Sequence, residues 1–276
     1  MLARILWLQG FPKHARRAAQ STVDDARALN HAASLCLALH EAACPVALFT
    51  GDLAAAESYV AMLLDCSAAH ALPIWRSWGH RVQGTLLIRN GDFDSGLQLL
   101  RTALEQSPEA DFQPRFTWFL GQLAEGLGHA GQIAQGLEAI DEALARSERN
   151  EERWCVAELL RIKGELLLLH GGSGAAAAAE DHCQQALGWA RRQGALSWEL
   201  RAATSLARLL RDQKRSTEAI ALLAPIYNRF TEGFETADLK TAKALIDRLY
   251  NTEGTSRSPL MDASRDGAAP TSMMAA

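Results

Sequence analysis

"RNGDFDSGLQLLRTAL", residues 89–104, decides how the rest of this chain is read. It matches "TGDLAAAESYVAML" at 50–63 and "HAGQIAQGLEAIDEAL" at 129–144, so the sequence carries an internal repeat. With the turn residue of each copy set to position zero, the series is Gly10, Gly51, Gly91, Gly131, Gly171 and Lys214, about 40 residues apart. A repeat of this length marks a stack of supersecondary units rather than a single closed domain.

The offsets say what the unit is. Seven residues before the turn stand Ala3, Cys44, Gly84, Ala124, Gly164 and Ala207, all small. Four before it stand Leu6, Ala47, Leu87, Leu127, Leu167 and Leu210. After it, +5 is Ala15, Ala56, Gly96, Gly136 or Ala219, and +9 is Ala19, Val60, Leu100, Ile140 or Leu223. The fifth copy joins the register if 172–174, "GSG", is an insertion, which brings Ala179, Cys183 and Ala186 into line. Small residues at fixed offsets let two helix backbones approach, and apolar residues at i, i+3 and i+4 supply a buried stripe. Each copy therefore reads as helix, tight turn, helix. Glycine at zero provides the left-handed conformation that ends a helix, and Asp52 and Asp92 are placed to cap the next one. One hairpin cannot bury its own apolar face, so the expected fold is all-α: a solenoid of five or six antiparallel helical hairpins with a groove.

Composition fits a globular chain. At 48% hydrophobic over 276 residues there is apolar material for a sizeable core, and a formal charge of −4 gives no global basic field to draw the chain onto nucleic acid or anionic lipid. The short apolar stretch at the N-terminus precedes its basic cluster, the reverse of a secretory signal, and the apolar runs fall short of a membrane span. The expectation is a cytoplasmic protein with no membrane or direct nucleic-acid partner. Five cysteines with no CxxC pair suit reduced thiols used as small core residues.

The offset pattern resembles that of tetratricopeptide repeats, with a period of about 40 instead of about 34. The stretches "ERWCVAELLRIKGELLL" (152–168) and "SLARLLRDQKRSTEAIALLAPIYNRFTEGFETADLKTAKALIDRL" (205–249) narrow this. They resemble the tetratricopeptide-like C-terminal region of bacterial signal-transduction ATPases linked to winged-helix regulators or adenylate/guanylate cyclase domains. The resemblance runs over 1–249 and implies a non-enzymatic scaffold or sensor that holds a protein or peptide; the alternative is a regulatory subunit or fragment acting with a separate ATPase, adenylate cyclase or winged-helix protein, and a hydrolase is the third and weakest class. No GxxxxGK[ST] phosphate loop occurs in the sequence. Residues 250–276 are small, polar and Pro-punctuated, and are expected to form a disordered tail.

Two short motifs invite chemistry and are weighed against the repeat. "HEAAC" at 40–44 approaches the HExxH zinc signature, but Cys44 occupies the small position of its copy and no third ligand is evident, so no metal site is assigned. "GGSGAAAAAE" at 171–180 lacks the lysine of a phosphate loop and reads as a lengthened turn. The sequence supports no catalytic residue and no cofactor.

The resemblance also places a partner groove. In tetratricopeptide proteins it is lined by the first helix of each hairpin, away from the small and Leu positions. Carried over by offset, −13 and −10 give Trp78, Arg81, Trp118, Glu158, Arg161 and Arg201, and −6 gives Glu125, Glu165 and Arg208. This mixed face suits a protein segment with charged and apolar contacts. Trp75, Trp78, Trp118, Trp154 and Trp198, all 13–17 residues before a turn, are expected mainly to pack between hairpins. Met1 stands only nine residues before Gly10, so the first hairpin looks cut, and its second helix, about 13–30, is expected to lack part of its cover. The stack would then be completed by other polypeptide, in a longer chain or in a partner.

Overall fold

The computed structural model describes residues 1–106 and 115–256, and every regular element among them is helical. The hairpins follow the repeat. The first pairs α1 (Leu2–Leu8) with α2 (Pro12–Ala28), and the second pairs α3 (Ala32–Thr50) with α4 (Leu53–Ala69). Next come α5 (Pro73–Arg89) with α6 (Phe93–Glu105), and α7 (Phe116–His129) with α8 (Ile133–Arg149). The fifth and sixth join α9 (Val156–His170) to α10 (Ala175–Gln193) and α11 (Leu196–Asp212) to α12 (Ser216–Tyr227), and α13 (Ala237–Ser256) packs behind them. The chain is an all-α helical solenoid.

Turn chemistry sets the hairpins. All six turn residues have positive φ, from +63° at Lys214 to +91° at Gly10. Asp52 and Asp92 cap as expected, accepting from the amides of Ala55 and Ser95 at 3.2 Å. The "GSG" insertion is a widened turn, with Gly172 and Gly174 both left-handed before α10 begins. Within a hairpin the small positions bring backbones together: a Cβ on Gly96 would stand 2.8 Å from the Ile88 amide and 2.9 Å from the Gly84 carbonyl. The +9 residues Val60, Leu100, Ile140 and Leu223 are all buried.

Two features are not periodic. First, α3 loosens into a π-turn over Leu39–Ala43, one residue wider per turn than the helix around it. Although α3 is apolar and long enough to cross a membrane, two-thirds of it is buried within this fold. Second, the stack curls until its early and late hairpins touch. Ser197 donates to the Trp7 carbonyl, Arg201 to the Phe49 carbonyl, and Pro12 lies against Gly233. The amides of Lys13 and His14 at the start of α2 both donate to Glu232, at 2.9 and 3.0 Å, and Arg16 pairs with Glu235 at 2.7 Å. A carboxylate at the electropositive end of a helix is well placed there.

The curled stack closes over an aromatic centre. Trp7 stacks on Phe49 with centroids 4.5 Å apart and meets Trp198 edge-on at 4.6 Å, while Phe49 meets Trp118 at 5.4 Å. Trp118 and Trp198 are buried, in line with the packing role expected of them. The last helix runs to Ser256, past the expected boundary at Leu249, so the first residues of the expected tail are helical. The rest of that tail, 257–276, lies outside the described residues.

Candidate functional site: a charged groove across the first helices

Arg161 on α9 is the centre of the site. Glu158 and Glu165 lie three residues before and four after it, so all three project from one helical face. Arg161 reaches Glu158 at 2.8 Å and Glu165 at 2.6 Å, and crosses to Glu125 on α7 at 2.7 Å. Glu125 is gripped from the other side by Arg89 of α5 at 3.0 Å, and Arg89 also bonds Gln122. From α11, Arg201 meets Glu158 at 3.0 Å and Asp238 of α13 at 2.8 Å, and Ser205 donates to Glu165. One charge network therefore joins four successive first helices, α5, α7, α9 and α11, and the last helix, α13.

Burial decides its electrostatics. Burial tends to raise the Glu125 carboxyl, but Arg89 and Arg161 outweigh it and hold it at about 2. For Glu158, 1% exposed as a side chain, burial also opposes ionisation and Arg161 and Arg201 overcome it, leaving the group below its usual range. Burial works against the Arg161 cation too, and its three carboxylates more than compensate. Glu125, Glu158 and Arg161 are thus ionised at neutral pH.

Above it opens a groove of about 140 Å³, lined by Arg89, Glu125, Arg161, Arg201, Arg208 and Asp238, with the hydroxyls of Thr204, Ser205 and Thr241 among them. Arg208 is exposed and has no ion-pair or hydrogen-bond partner among the described residues. Of the nine residues placed on the partner face by offset, six come together here: Glu125, Glu158, Arg161, Glu165, Arg201 and Arg208. Sequence reasoning missed Arg89 and Asp238. Arg89 lies two residues before its turn, outside the offsets used, and Asp238 follows the last repeat.

The other three are elsewhere, and this corrects the offset assignment. Trp118 is 2% exposed inside the aromatic centre, because the curling of the stack presses Phe49 against the −13 face of α7. Arg81 is fully buried, donating to the Ala103 carbonyl at 3.4 Å with its guanidinium over the Phe116 ring. Trp78 is half-buried and stacks on His40 at 5.1 Å, edge-on to Trp75. The early copies spend this face on packing, and the late copies spend it on the charge network, beside which Arg208 is exposed.

The "HEAAC" residues lie in and just after the π-turn. His40 pairs through Nδ1 with Glu41 at 2.9 Å and accepts at Nε2 from Arg115 at 2.9 Å; Arg115 also donates to the His40 carbonyl at 2.7 Å. Glu41 is held by Arg4 at 2.6 Å. Burial first, and Arg115 second, push the His40 imidazole down to about 3, so it is neutral at physiological pH. Cys44 is buried among apolar neighbours and its thiol is pushed up to about 12. The imidazole and the thiol thus serve different environments: the ring is bonded to charged neighbours and the thiol is packed in the core.

No protein-family model matches the chain, and no curated protein matches it in sequence. Among solved structures, the fold is similar to that of BtubC (BKLC) from P. vanneervenii, with a TM-score of 0.53, 16% identity, and coverage of 95% of this chain and 99% of that one. At that identity the likeness is one of fold, and it extends over essentially the whole of both chains.

Proposed function

We propose that this chain is a non-enzymatic interaction scaffold that holds a protein or peptide segment along the charged groove of α5, α7, α9, α11 and α13. The observation that carries this reading is the exposed, unpaired Arg208 beside Thr204, Ser205 and Thr241, above a network that fixes Arg89, Arg161 and Arg201 in place. A preorganised groove loses little side-chain freedom on binding, which favours recognition. Its lining offers donors and acceptors to a polar segment, and Arg208 offers one uncommitted cation to an acidic residue of that segment. The sequence resemblance supports the same role, a sensor or scaffold region of a bacterial signalling regulator in the cytoplasm, acting with an ATPase- or cyclase-type protein.

The test is selection of a displayed random-peptide library on the purified chain. The expected result is enrichment of peptides with an acidic residue, with binding of the best peptide at least tenfold weaker to Arg208→Glu. Absence of enrichment, or equal binding to Arg208→Glu and wild type, would refute the groove.

A further inference from the structure

A second cavity, apart from the charged groove, lies between α2 and α4 with α3 beneath it, and has a volume of about 290 Å³. The repeat says why it is there. Four residues before the turn, five copies carry leucine, at Leu6, Leu87, Leu127, Leu167 and Leu210, and the second copy carries Ala47. Nine after the turn stand Val60, Leu100, Ile140, Leu223 and, counted from Gly174, Cys183, whereas the first copy has Ala19. The two truncated positions meet, since Ala19 and Ala47 line the same cavity. An apolar hole of about 150 Å³ takes up benzene, so a space about twice that size holds a body of about a dozen non-hydrogen atoms.

Its lining is divided by chemistry. The floor is Ala19, Ala43, Val46 and Ala47, all buried and without a polar side-chain atom among them. The rim is polar, and nearly all of it is committed. Arg16 pairs with Glu235 at 2.7 Å and reaches Asp52 at 3.7 Å; Asp52 also accepts from the Ala55 amide. The Tyr59 hydroxyl donates to Gln20 at 2.6 Å, and Gln20 donates to Asp24. Arg17 alone of the polar lining has no ion-pair or hydrogen-bond partner among the described residues. An apolar floor with a single uncommitted charge at the rim is the pattern of a small-molecule pocket, in which apolar walls supply area and one polar group fixes orientation.

The two bridges also limit what can enter. Arg16–Asp52 and Gln20–Tyr59 both cross from α2 to α4 at the margin of the cavity, and their α2 residues are four apart, or about 6 Å at the helical rise of about 1.5 Å per residue. A helix with its side chains is about 10–12 Å across and does not pass between them, whereas a flat ring does. The guanidinium of Arg17 offers paired N–H donors in the geometry that suits a carboxylate. We propose that the cavity between α2 and α4 binds a small aryl carboxylate, with its ring over Ala19, Ala43 and Ala47 and its carboxylate on Arg17.

The probe is 3-phenylpropionate, titrated into the isotope-labelled full chain and followed by amide chemical shifts. The expected result is saturable shifts at the amides around Ala19, Ala43 and Ala47, with binding at least fivefold weaker for 3-phenylpropan-1-ol and in Arg17→Gln. Arg17 is exposed, so that variant keeps the fold. Ala47→Leu restores the residue of the other copies and should abolish the shifts without lowering the melting temperature; Ala19→Val narrows the same space by a smaller step if the leucine overpacks it. Arg208→Glu, in the charged groove, should leave this binding unchanged. No saturable shift with the acid at about 5 mM, which reports even a millimolar affinity, would overturn the proposal. So would equal binding of acid and alcohol, binding that survives Arg17→Gln and the filled variants, or loss of binding in Arg208→Glu, since the acid would then sit in the groove.

Discussion

Arg161→Met tests whether the charge network is a structural strut. The substitution keeps the length of the side chain and removes a guanidinium that bonds three carboxylates at 2.6 to 2.8 Å while only 8% exposed. Each acid retains one partner: Arg89 for Glu125, Arg201 for Glu158 and Ser205 for Glu165. Breaking a buried pair outright costs about 3–5 kcal/mol. The retained partners put this variant at the lower end, about 3 kcal/mol, or about 6–12 °C in melting temperature for a chain of this size.

The pH dependence supplies the sign. In the wild type, Glu125 titrates at about 2 against an ordinary 4.5. It therefore contributes about 3 kcal/mol that is fully present above pH 4.5 and lost as pH falls toward 2. Without Arg161, burial is opposed by fewer charges, so the Glu125 and Glu158 carboxyls rise and take up protons on acidification, which relieves the variant alone. The deficit of the variant should be largest at pH 7.5 and should shrink toward pH 5. The assay is thermal unfolding by circular dichroism at both values. A loss below about 1 kcal/mol with no change between them would show that the network is solvated and carries no strain-bearing role.

Three further outcomes are expected. Gly96→Ala should destabilise by about 2 kcal/mol in denaturant titration despite the better helix propensity of alanine, because the new Cβ meets backbone atoms at 2.8–2.9 Å; Gly91→Ala, with open space around it at φ +89°, should cost only about 1 kcal/mol. A stabilised Gly96→Ala would refute the close approach. Glu232→Ala should cost about 1–2 kcal/mol and raise hydrogen exchange at the amides of residues 13 and 14, leaving the Arg161 network protected. Unchanged exchange at those two amides would mean the contact is not made in solution. Alkylation of the native chain should label Cys66 alone, since Cys36, Cys44, Cys155 and Cys183 are buried; burial pushes the Cys36, Cys44 and Cys183 thiols up to about 12, so the reactive thiolate is scarce at pH 8. Full labelling without denaturant would contradict the packing.

The hairpins were legible because their determinants are local. A left-handed turn, a cap one residue later and a small residue seven back are read from a window of twenty residues, and even the lysine standing for glycine at 214 adopts φ +63°. The curl of the stack was not legible. It depends on small rotations between neighbouring hairpins that accumulate until residues about 220 apart, His14 and Glu232, are in contact. That is also why the same −13 offset yields a carboxylate of the charge network at Glu158 and a core indole at Trp118. The π-turn in α3 escaped for a different reason, since "LHEAA" has ordinary helical composition and is widened by its tertiary surroundings, where Arg115 bonds the His40 carbonyl.

A linear array of repeats ordinarily melts from its ends, each unit leaving when its single neighbour can no longer hold it. Contact between the first hairpin and the loop after α12 removes that freedom, because neither end can fray without also opening Trp7 and Trp198 to water. Loss of the first hairpin would therefore act as removal of a keystone. The remaining hairpins would keep their local turns but lose one wall of the aromatic centre, and with it the all-or-none transition that a closed ring of contacts imposes on a chain of semi-independent parts.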